Sequence, residues 1–205
     1  TIPFLLVALF QLKFAIITPA LITGSFAGRI RFRGYILFIV LFSLIVYPPL
    51  AHMTWHPDGL LRNLGVLDFA GGTVVHMSAG FAALAGAIFL GQRKASVNPP
   101  ANIPFVILGT GLLWFGWFGF NSGSALGANG VAVKAFANTN LASATAMITW
   151  VFYERYQNRK MSALGACIGA IVGLVAITPA AGFVSLSHSI LIGFIAALTS
   201  NWAIQ

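Results

Sequence analysis

The sequence predicts an all-α membrane protein built as a bundle of several spanning helices. Of its 205 residues, 59% are hydrophobic and only 7% are charged. A soluble domain carries roughly 25% charged residues, so this chain could not cover its own surface with polar groups. The apolar runs are continuous over about 20 residues, which suits helices that cross a hydrocarbon core and not the alternating strands of a barrel.

Seven apolar runs are each long enough to cross a bilayer as a helix. We expect one transmembrane domain over residues 1–205 that is incomplete at both ends, because Thr1 leads directly into an apolar run and no polar tail precedes Gln205. The predicted spans are approximately 2–25, 35–55, 68–91, 101–124, 131–152, 162–182 and 187–205.

The net charge of +8 is a topology signal rather than a sign of nucleic-acid binding. Basic residues in short loops mark the cytoplasmic side of a membrane protein. One set of loops holds eight of them, against two, Arg62 and Lys134, in the other set. The first set is therefore expected in the cytoplasm and the chain to begin outside, with the protein in the cell membrane. The eight residues are Arg29, Arg31, Arg33, Arg93, Lys94, Arg155, Arg159 and Lys160.

The first span carries an aromatic stripe formed by Phe10 and Phe14, which are i,i+4 neighbours on a helix. Ordinary helix packing is the alternative to a functional role for these rings. Lys13 lies between them, and a charge in a span either faces a water-filled cavity or extends its side chain to the interface. We favour the second reading for Lys13.

The second span ends in Pro48-Pro49 followed by Trp55. Paired prolines remove two backbone donors, so we expect the helix to kink or end there. Trp55 falls at the external boundary, where it belongs either to an aromatic belt or to a binding site.

The third span opens on Asp68-Phe69-Ala70-Gly71-Gly72, and His76 lies eight residues beyond Asp68. An ionisable residue within a span is a candidate functional residue, because its burial in lipid is costly. Asp68 has a second interpretation as a helix cap, since the helix dipole favours a carboxylate at an N-terminus. The small residues over 78–86 predict close packing against neighbouring helices.

The last four spans add polar atoms and close contacts. In the fourth, glycines alternate with large rings over 111–120, which suggests that its backbone touches a partner helix, and Asn121 and Ser124 follow at the external end. The polar residues of 138–145 require one face of the fifth span to be internal. The sixth carries a double GxxxG pattern, which marks a close helix contact, at Gly165, Gly169 and Gly173.

Two other classes of protein are disfavoured. The histidines at 52, 56, 76 and 188 form no metal-ligand cluster by sequence, and no catalytic triad or phosphate-binding loop is present, so we expect neither an enzyme, nor a metal site, nor a cofactor. A seven-helix retinal protein would need a lysine in its last helix for the Schiff base, and 187–205 contains none.

Three motifs in order resemble the ammonium transporter (Amt/Mep/Rh) family. They are Asp68-Phe69-Ala70-Gly71-Gly72 with His76, the Trp-Phe-Gly-Phe-Asn-Ser-Gly-Ser run at 117–124, and the Gly-Leu-Val-Ala-Ile-Thr-Pro-Ala-Ala-Gly run at 173–182. The resemblance covers essentially the whole chain. It implies a fold of eleven helices around a pore, made of two inverted five-helix repeats and assembled as a trimer, of which this chain would supply helices three to nine.

The resemblance also implies roles for individual residues. Phe10, Phe14, Trp55 and Ser124 would form an external cation recruitment site, supported by Asp68. Phe14 would stack with Phe120 as a gate, and His76 would be the first of two pore histidines. The second histidine would lie beyond Gln205, and His188 is not expected to replace it because it lies in a loop.

The expected function is transport of ammonium or ammonia through a hydrophobic pore, with recruitment, deprotonation and histidine-assisted passage. The implied partners are ammonium, the lipid bilayer, two further copies in a homotrimer, and a PII-type nitrogen regulator on the cytoplasmic face. An ammonium sensor and a Rh-type gas channel on the same fold stay open. Lys13 departs from the uncharged residue usual in the family and favours the sensor.

Overall fold

The computed structural model describes residues 2–93 and 102–204, and within these ranges it is all helical. It therefore confirms the predicted fold class. The elements are α1 (Phe4–Phe26), α2 (Phe32–Leu41), a π-helical turn (Phe42–Val46), α3 (Tyr47–Trp55), α4 (Leu60–Asn63), a second π-helical turn (Gly72–Met77), α5 (Ser78–Leu90), α6 (Ile103–Gly123), α7 (Gly130–Tyr156), α8 (Ala163–Ile177) and α9 (Leu186–Ala203).

Each of the seven predicted spans corresponds to a helix or a continuous helical run. Five of these runs are long and apolar enough to cross a membrane: Phe4–Phe26, Phe32–Asn63, Gly72–Leu90, Ile103–Gly123 and Leu186–Ala203. α8 is apolar but only 15 residues long, because the backbone turns after Ile177, within the predicted span 162–182. Lys94, both chain ends and the start of the predicted span at 101 lie outside the described residues.

The chain forms two compact units, 1–97 and 98–205. In the first unit α1 packs along α5. The Ser25 hydroxyl donates to the Ala83 carbonyl oxygen over 2.6 Å. A Cβ on Gly86 would lie 2.5 Å from the Phe26 ring, so the small residues of 78–86 do permit a close contact, as predicted.

Two arginines join the C-terminal ends of α1 and α5. Arg29 donates from α1 to the Gly91 carbonyl, and Arg93 donates back to the Gly24 carbonyl over 2.7 Å. Cations are favourable at helix C-termini, where unpaired carbonyls concentrate negative charge. The two loops predicted to share one side of the membrane therefore do lie at one end of this unit.

Of the two outcomes predicted for the Pro48-Pro49 pair, a kink or an end of the helix, the structure excludes the end. The helical run continues from Phe32 to Trp55 through the π-helical turn Phe42–Val46. The Tyr47 amide bonds the carbonyl of Phe42, five residues back, at the end of this turn. A π-turn places one extra residue in the helix and absorbs the local disruption that the prolines impose.

In the second unit α8 packs against α7 through its glycines. A Cβ on Gly169 would lie 2.8 Å from the Ala146 carbonyl oxygen, and one on Gly173 would lie 2.4 Å from that of Ala142. The double GxxxG pattern is thus confirmed as a close backbone contact. The glycines of α6 behave differently from the prediction, because a Cβ on Gly116 or Gly119 would meet no described atom within 4 Å.

We expect Gly173→Ala to destabilise the protein by about 1–3 kcal/mol or more, since its neighbours are backbone atoms that cannot rotate away. The measurement is thermal unfolding in detergent. Gly116→Ala is the matched control, because Ala has the higher helix propensity and open space surrounds this site. Equal melting temperatures for Gly173→Ala and the wild type would contradict the tight contact.

Buried polar side chains of α7 confirm that one of its faces is internal. The Asn138 amide donates to the Ala181 carbonyl over 2.8 Å, and the Ser143 hydroxyl donates to the Ala170 carbonyl over 2.9 Å. Asn140, on the other side of the helix, is exposed. Buried polar groups need such partners, because an unmade hydrogen bond costs about 1–3 kcal/mol.

Candidate functional site

Three aromatic rings of the first unit form one cluster, which we call the aromatic cluster: Phe10, Phe14 and Trp55. The ring centroids of Phe10 and Phe14 are 4.9 Å apart and those of Phe14 and Trp55 are 5.7 Å apart, with interplanar angles of 76° and 81°. Such edge-to-face contacts are a preferred arrangement of aromatic pairs. Phe14 is buried with 2% exposure, whereas Phe10 and Trp55 are half-buried.

Trp55 connects the aromatic cluster to the segment that begins with Asp68. Its indole Nε1–H donates to the backbone carbonyl of Asp68 over 3.1 Å. This bond uses the only donor of the indole and fixes the ring orientation. This hydrogen bond leaves the ring face, which attracts cations, available.

Asp68 caps the helical run that carries His76. Its Oδ1 accepts from the amides of Gly71 and Gly72, both over 2.7 Å, and its Oδ2 accepts from Thr73 and Val74 over 2.8 and 3.2 Å. One carboxylate thus satisfies four successive backbone donors that have no carbonyl partner at a helix start. The cap interpretation of Asp68 is confirmed, and its role in recruitment stays a prediction.

His76 lies in the π-helical turn Gly72–Met77, and the helix begins four residues later than the predicted span. Its amide bonds the Gly71 carbonyl, five residues back, over 3.1 Å. Gly71 has a φ of +108°, and a Cβ there would lie 2.8 Å from Val75, so only glycine fits. Both imidazole nitrogens of His76 are buried. Single π-turns are frequent at functional sites.

Ser124 and Phe120 belong to the second unit. Ser124 is the C-cap residue of α6, and its hydroxyl donates to the Phe120 carbonyl over 2.9 Å. Because its only proton is used on the backbone, the oxygen offers acceptor capacity to any ligand. The neighbouring Asn121 is buried and donates to Thr139 over 2.9 Å. The pairing of Phe120 with Phe14, and of Ser124 with Trp55, joins residues of different units and stays a prediction.

Lys13 and His188 are both exposed. Lys13 lies on α1, and the extension of its side chain towards the interface stays a prediction. His188 lies in the first turn of α9 and not in a loop, and its Nδ1 is 2.6 Å from the Ser185 hydroxyl.

Sequence reasoning missed two features of this site. The π-turn at His76 has no composition signal beyond Gly71-Gly72 and the β-branched residues after them. The bond from Trp55 to the Asp68 backbone joins residues 13 apart in the chain, and no local pattern reports such a contact.

Comparisons with known proteins give one consistent result. The profile of the Ammonium Transporter Family matches residues 1–205. An ammonium transporter of Aquifex aeolicus is 54% identical over 202 residues, which are 98% of this chain and 48% of that protein. One of Bacillus subtilis is 51% identical over 205 residues, which are 100% of this chain and 50% of that protein. The chain spans about half the length of these relatives.

Solved structures agree with the sequence relatives. Mep2 of Candida albicans has a TM-score of 0.93 at 40% identity, over 100% of this chain and 47% of that chain. A structure titled Sensor Amt Protein has a TM-score of 0.88 at 35% identity, over 94% of this chain and 51% of that chain. The family match over every residue, these relatives and the apolar helices of spanning length lead to one conclusion: the chain belongs to the Ammonium Transporter Family and is part of a membrane protein.

Proposed function

We propose that the protein transports ammonium or ammonia across the cell membrane, with recruitment at the aromatic cluster and passage beside His76. One observation carries this mechanism beyond family membership. Trp55 bonds the backbone of Asp68, and the Asp68 carboxylate holds the turn that contains His76. The residues proposed to receive the cation and to handle its proton are thus connected within one unit through Asp68 and the backbone of the turn.

The aromatic cluster suits a small cation without a rigid hydration shell. An aromatic face attracts a cation by about 0.5–2 kcal/mol, and Trp is the strongest of the three ring types. Phe14 is buried against Trp55, so a cation that moves inward leaves water behind. Ammonium tolerates this step because its N–H groups can donate to protein acceptors and because it can release a proton.

Ser124 supplies an acceptor of the right kind. Its hydroxyl proton is committed to Phe120, so its lone pairs can receive an N–H of ammonium. Water or another hydroxyl could also donate to this oxygen, but the positive charge of ammonium makes its hydrogen bond stronger. In this proposal Phe120 and Phe14 form the gate below that position.

Beyond the gate the proposed passage is apolar and carries the imidazole of His76. An unpaired charge is costly in such surroundings, so the proposal has ammonium deprotonate and cross as ammonia. A neutral imidazole both donates and accepts a hydrogen bond and can pass a proton on. Asp68 holds this geometry through its cap and adds negative charge near the entrance.

Assembly and regulation belong to the same proposal. By family resemblance we propose a homotrimer that a PII-type regulator contacts on the cytoplasmic face. A sensor function is the second candidate, because a protein titled Sensor Amt Protein shares the fold at a TM-score of 0.88. Native mass spectrometry of the intact protein tests the trimer, and a predominantly monomeric species would contradict it.

The deciding experiment is uptake of labelled methylammonium, together with ammonium-evoked current, by the intact protein in liposomes. We expect both signals. Correctly assembled protein that gives neither would overturn transport and favour the sensor.

We expect Ser124→Ala to raise the half-saturating ammonium concentration by about tenfold. A hydrogen bond to a charged group contributes about 1.5–3 kcal/mol, and 1.4 kcal/mol corresponds to a factor of ten. Ser187→Ala, which removes an exposed hydroxyl from the same unit, is the control and should leave the value unchanged. A wild-type concentration dependence for Ser124→Ala would remove Ser124 from the recruitment site.

A further inference from the structure

Two histidines at i,i+4 spacing lie at the C-terminal end of α3: His52 in its last turn and His56 at its C-cap. The proposed transport mechanism uses neither. Their rings stack with centroids 4.4 Å apart and an interplanar angle of 14°. Both side chains are exposed, His56 to 47%. We refer to them as the histidine pair. We propose that the histidine pair chelates a divalent transition-metal ion, with Cu²⁺ bound most tightly.

Ring spacing and mobility support chelation. A metal bonded to two imidazole nitrogens at about 2.0–2.1 Å holds them about 3 Å apart when they occupy adjacent positions. Rings already stacked at 4.4 Å reach this separation by rotation of exposed side chains, which takes picoseconds to nanoseconds. No backbone movement is required, because the two residues share one helical turn and the His56 amide bonds the His52 carbonyl over 3.1 Å.

The backbone under the histidine pair is held firmly. The Gly59 amide bonds the His56 carbonyl over 2.9 Å, so the chain folds back after α3. A Cβ on Gly59 would lie 2.4 Å from the Met53 carbonyl and 2.5 Å from that of His52. This contact fixes the end of the helix, and a fixed backbone limits the entropy lost when the second imidazole binds the metal.

Asp58 adds a neighbouring carboxylate. Its Oδ2 is 3.9 Å from the His56 Nδ1, and its backbone amide donates to that nitrogen over 3.2 Å. Because Nδ1 accepts this amide, the neutral ring carries its proton on Nε2. A metal on Nε2 therefore requires the other tautomer, in which the Nδ1–H replaces the amide bond and the exposed Asp58 carboxylate rotates closer to accept it. Metal-binding histidines usually donate their other N–H to such a group. The carboxylate also makes the local potential favourable for a cation.

The chemistry of the donors selects the metal. Two imidazoles and water are suitable ligands for Cu²⁺, Ni²⁺ and Zn²⁺. Of these three ions Cu²⁺ has the highest affinity in the Irving–Williams order. Among residues 2–93 and 102–204 no group of three or more His, Cys, Asp or Glu side chains is arranged for a metal. The histidine pair is therefore a two-ligand site in which water completes the coordination, and it suits reversible binding rather than a permanent structural metal.

The experiment is a Cu²⁺ titration of the intact protein in nanodiscs, purified without a polyhistidine tag and followed by electron paramagnetic resonance. The nitrogen hyperfine pattern reports how many imidazoles bind the ion. We expect a two-nitrogen signal, and we expect His52→Ala and His56→Ala each to weaken binding by about tenfold or more, because a chelate loses its second, intramolecular ligand. His188→Ala removes an exposed histidine from the other unit and should change neither signal nor affinity.

Both variants should fold, since neither side chain is buried, and thermal unfolding checks this. His52→Gln repeats the test with a polar side chain that cannot replace the imidazole as a strong ligand. A wild-type signal with only one nitrogen, or full affinity in either alanine variant, would overturn the proposal. Because the readout is binding, it is independent of whether the protein transports ammonium.

Discussion

Asp68→Asn is expected to lower both the stability of the protein and its uptake of ammonium. An ordinary helix cap uses one side-chain oxygen, for which Asn serves about as well as Asp. Asp68 uses both oxygens and accepts four amides. Asn offers one oxygen, so its NH₂ group would face two backbone donors. With about 1.5–3 kcal/mol for each hydrogen bond to a charged group, the loss of two such bonds gives about 3–6 kcal/mol.

The uptake rate should fall with stability, because the cap positions the turn that carries His76. We expect at least a tenfold decrease per assembled protein, equal to about 1.4 kcal/mol in the transport barrier. The measurements are thermal unfolding and initial methylammonium uptake in liposomes. Full uptake in Asp68→Asn would contradict both recruitment by this residue and its positioning of His76, and an unchanged melting temperature would contradict the cap.

Asp58→Asn is the matched control. It removes one carboxylate charge from the same unit, and its side chain is 90% exposed. No helical amide depends on this side chain among the hydrogen bonds of the described residues. If negative charge in this region is what attracts ammonium, Asp58→Asn should also slow uptake at low ionic strength, where exposed charges act over about 30 Å. If the Asp68 cap is what matters, only Asp68→Asn should do so.

His76→Ala is expected to abolish most of the ammonium-evoked current, by about a hundredfold or more, the range in which a positioned proton-transfer group acts. Alanine keeps the backbone amide that bonds Gly71 and favours helix, so the turn should form. It supplies no titrating group. The measurement is current in liposomes at matched protein content, with thermal unfolding to verify the fold.

His76→Gln separates two roles of the imidazole. Glutamine donates and accepts hydrogen bonds but cannot relay a proton at ordinary pH. If His76 only solvates the passing molecule, the Gln variant should recover much of the current. If it relays protons, both variants should fail. His188→Ala, at the exposed start of α9, is the control, and wild-type current in His76→Ala would exclude His76 from the conduction path.

The sequence by itself determined the fold class, the approximate helices and the family. Composition alone required a membrane, because 7% charged residues cannot cover a soluble surface. The glycines at 169 and 173 predicted a close helix contact correctly, since the absence of a Cβ is itself the cause of close approach, and the structure identifies α7 as the partner. The motifs around Asp68, Phe120 and Thr178 are enough to identify the family without any tertiary information.

Only the tertiary structure decided how the candidate site is held. The helix continues through Pro48-Pro49 after a π-turn, whereas the two prolines by themselves left a kink and an end equally open. The same glycine–aromatic pattern that predicted a contact for α6 makes none with a described residue at Gly116, because the local sequence does not specify which element packs against a helix face.

Asp68 shows the difference most directly. An aspartate at this position could cap the helix or attract the cation with its charge. The two hypotheses differ in the direction in which the carboxylate points. Four amides converge on it only because Gly71 adopts a positive φ and turns the chain back over the side chain. Trp55, 13 residues earlier, then bonds its carbonyl. Directions of this kind are set by contacts between distant segments, so they follow from the folded chain and not from the local sequence.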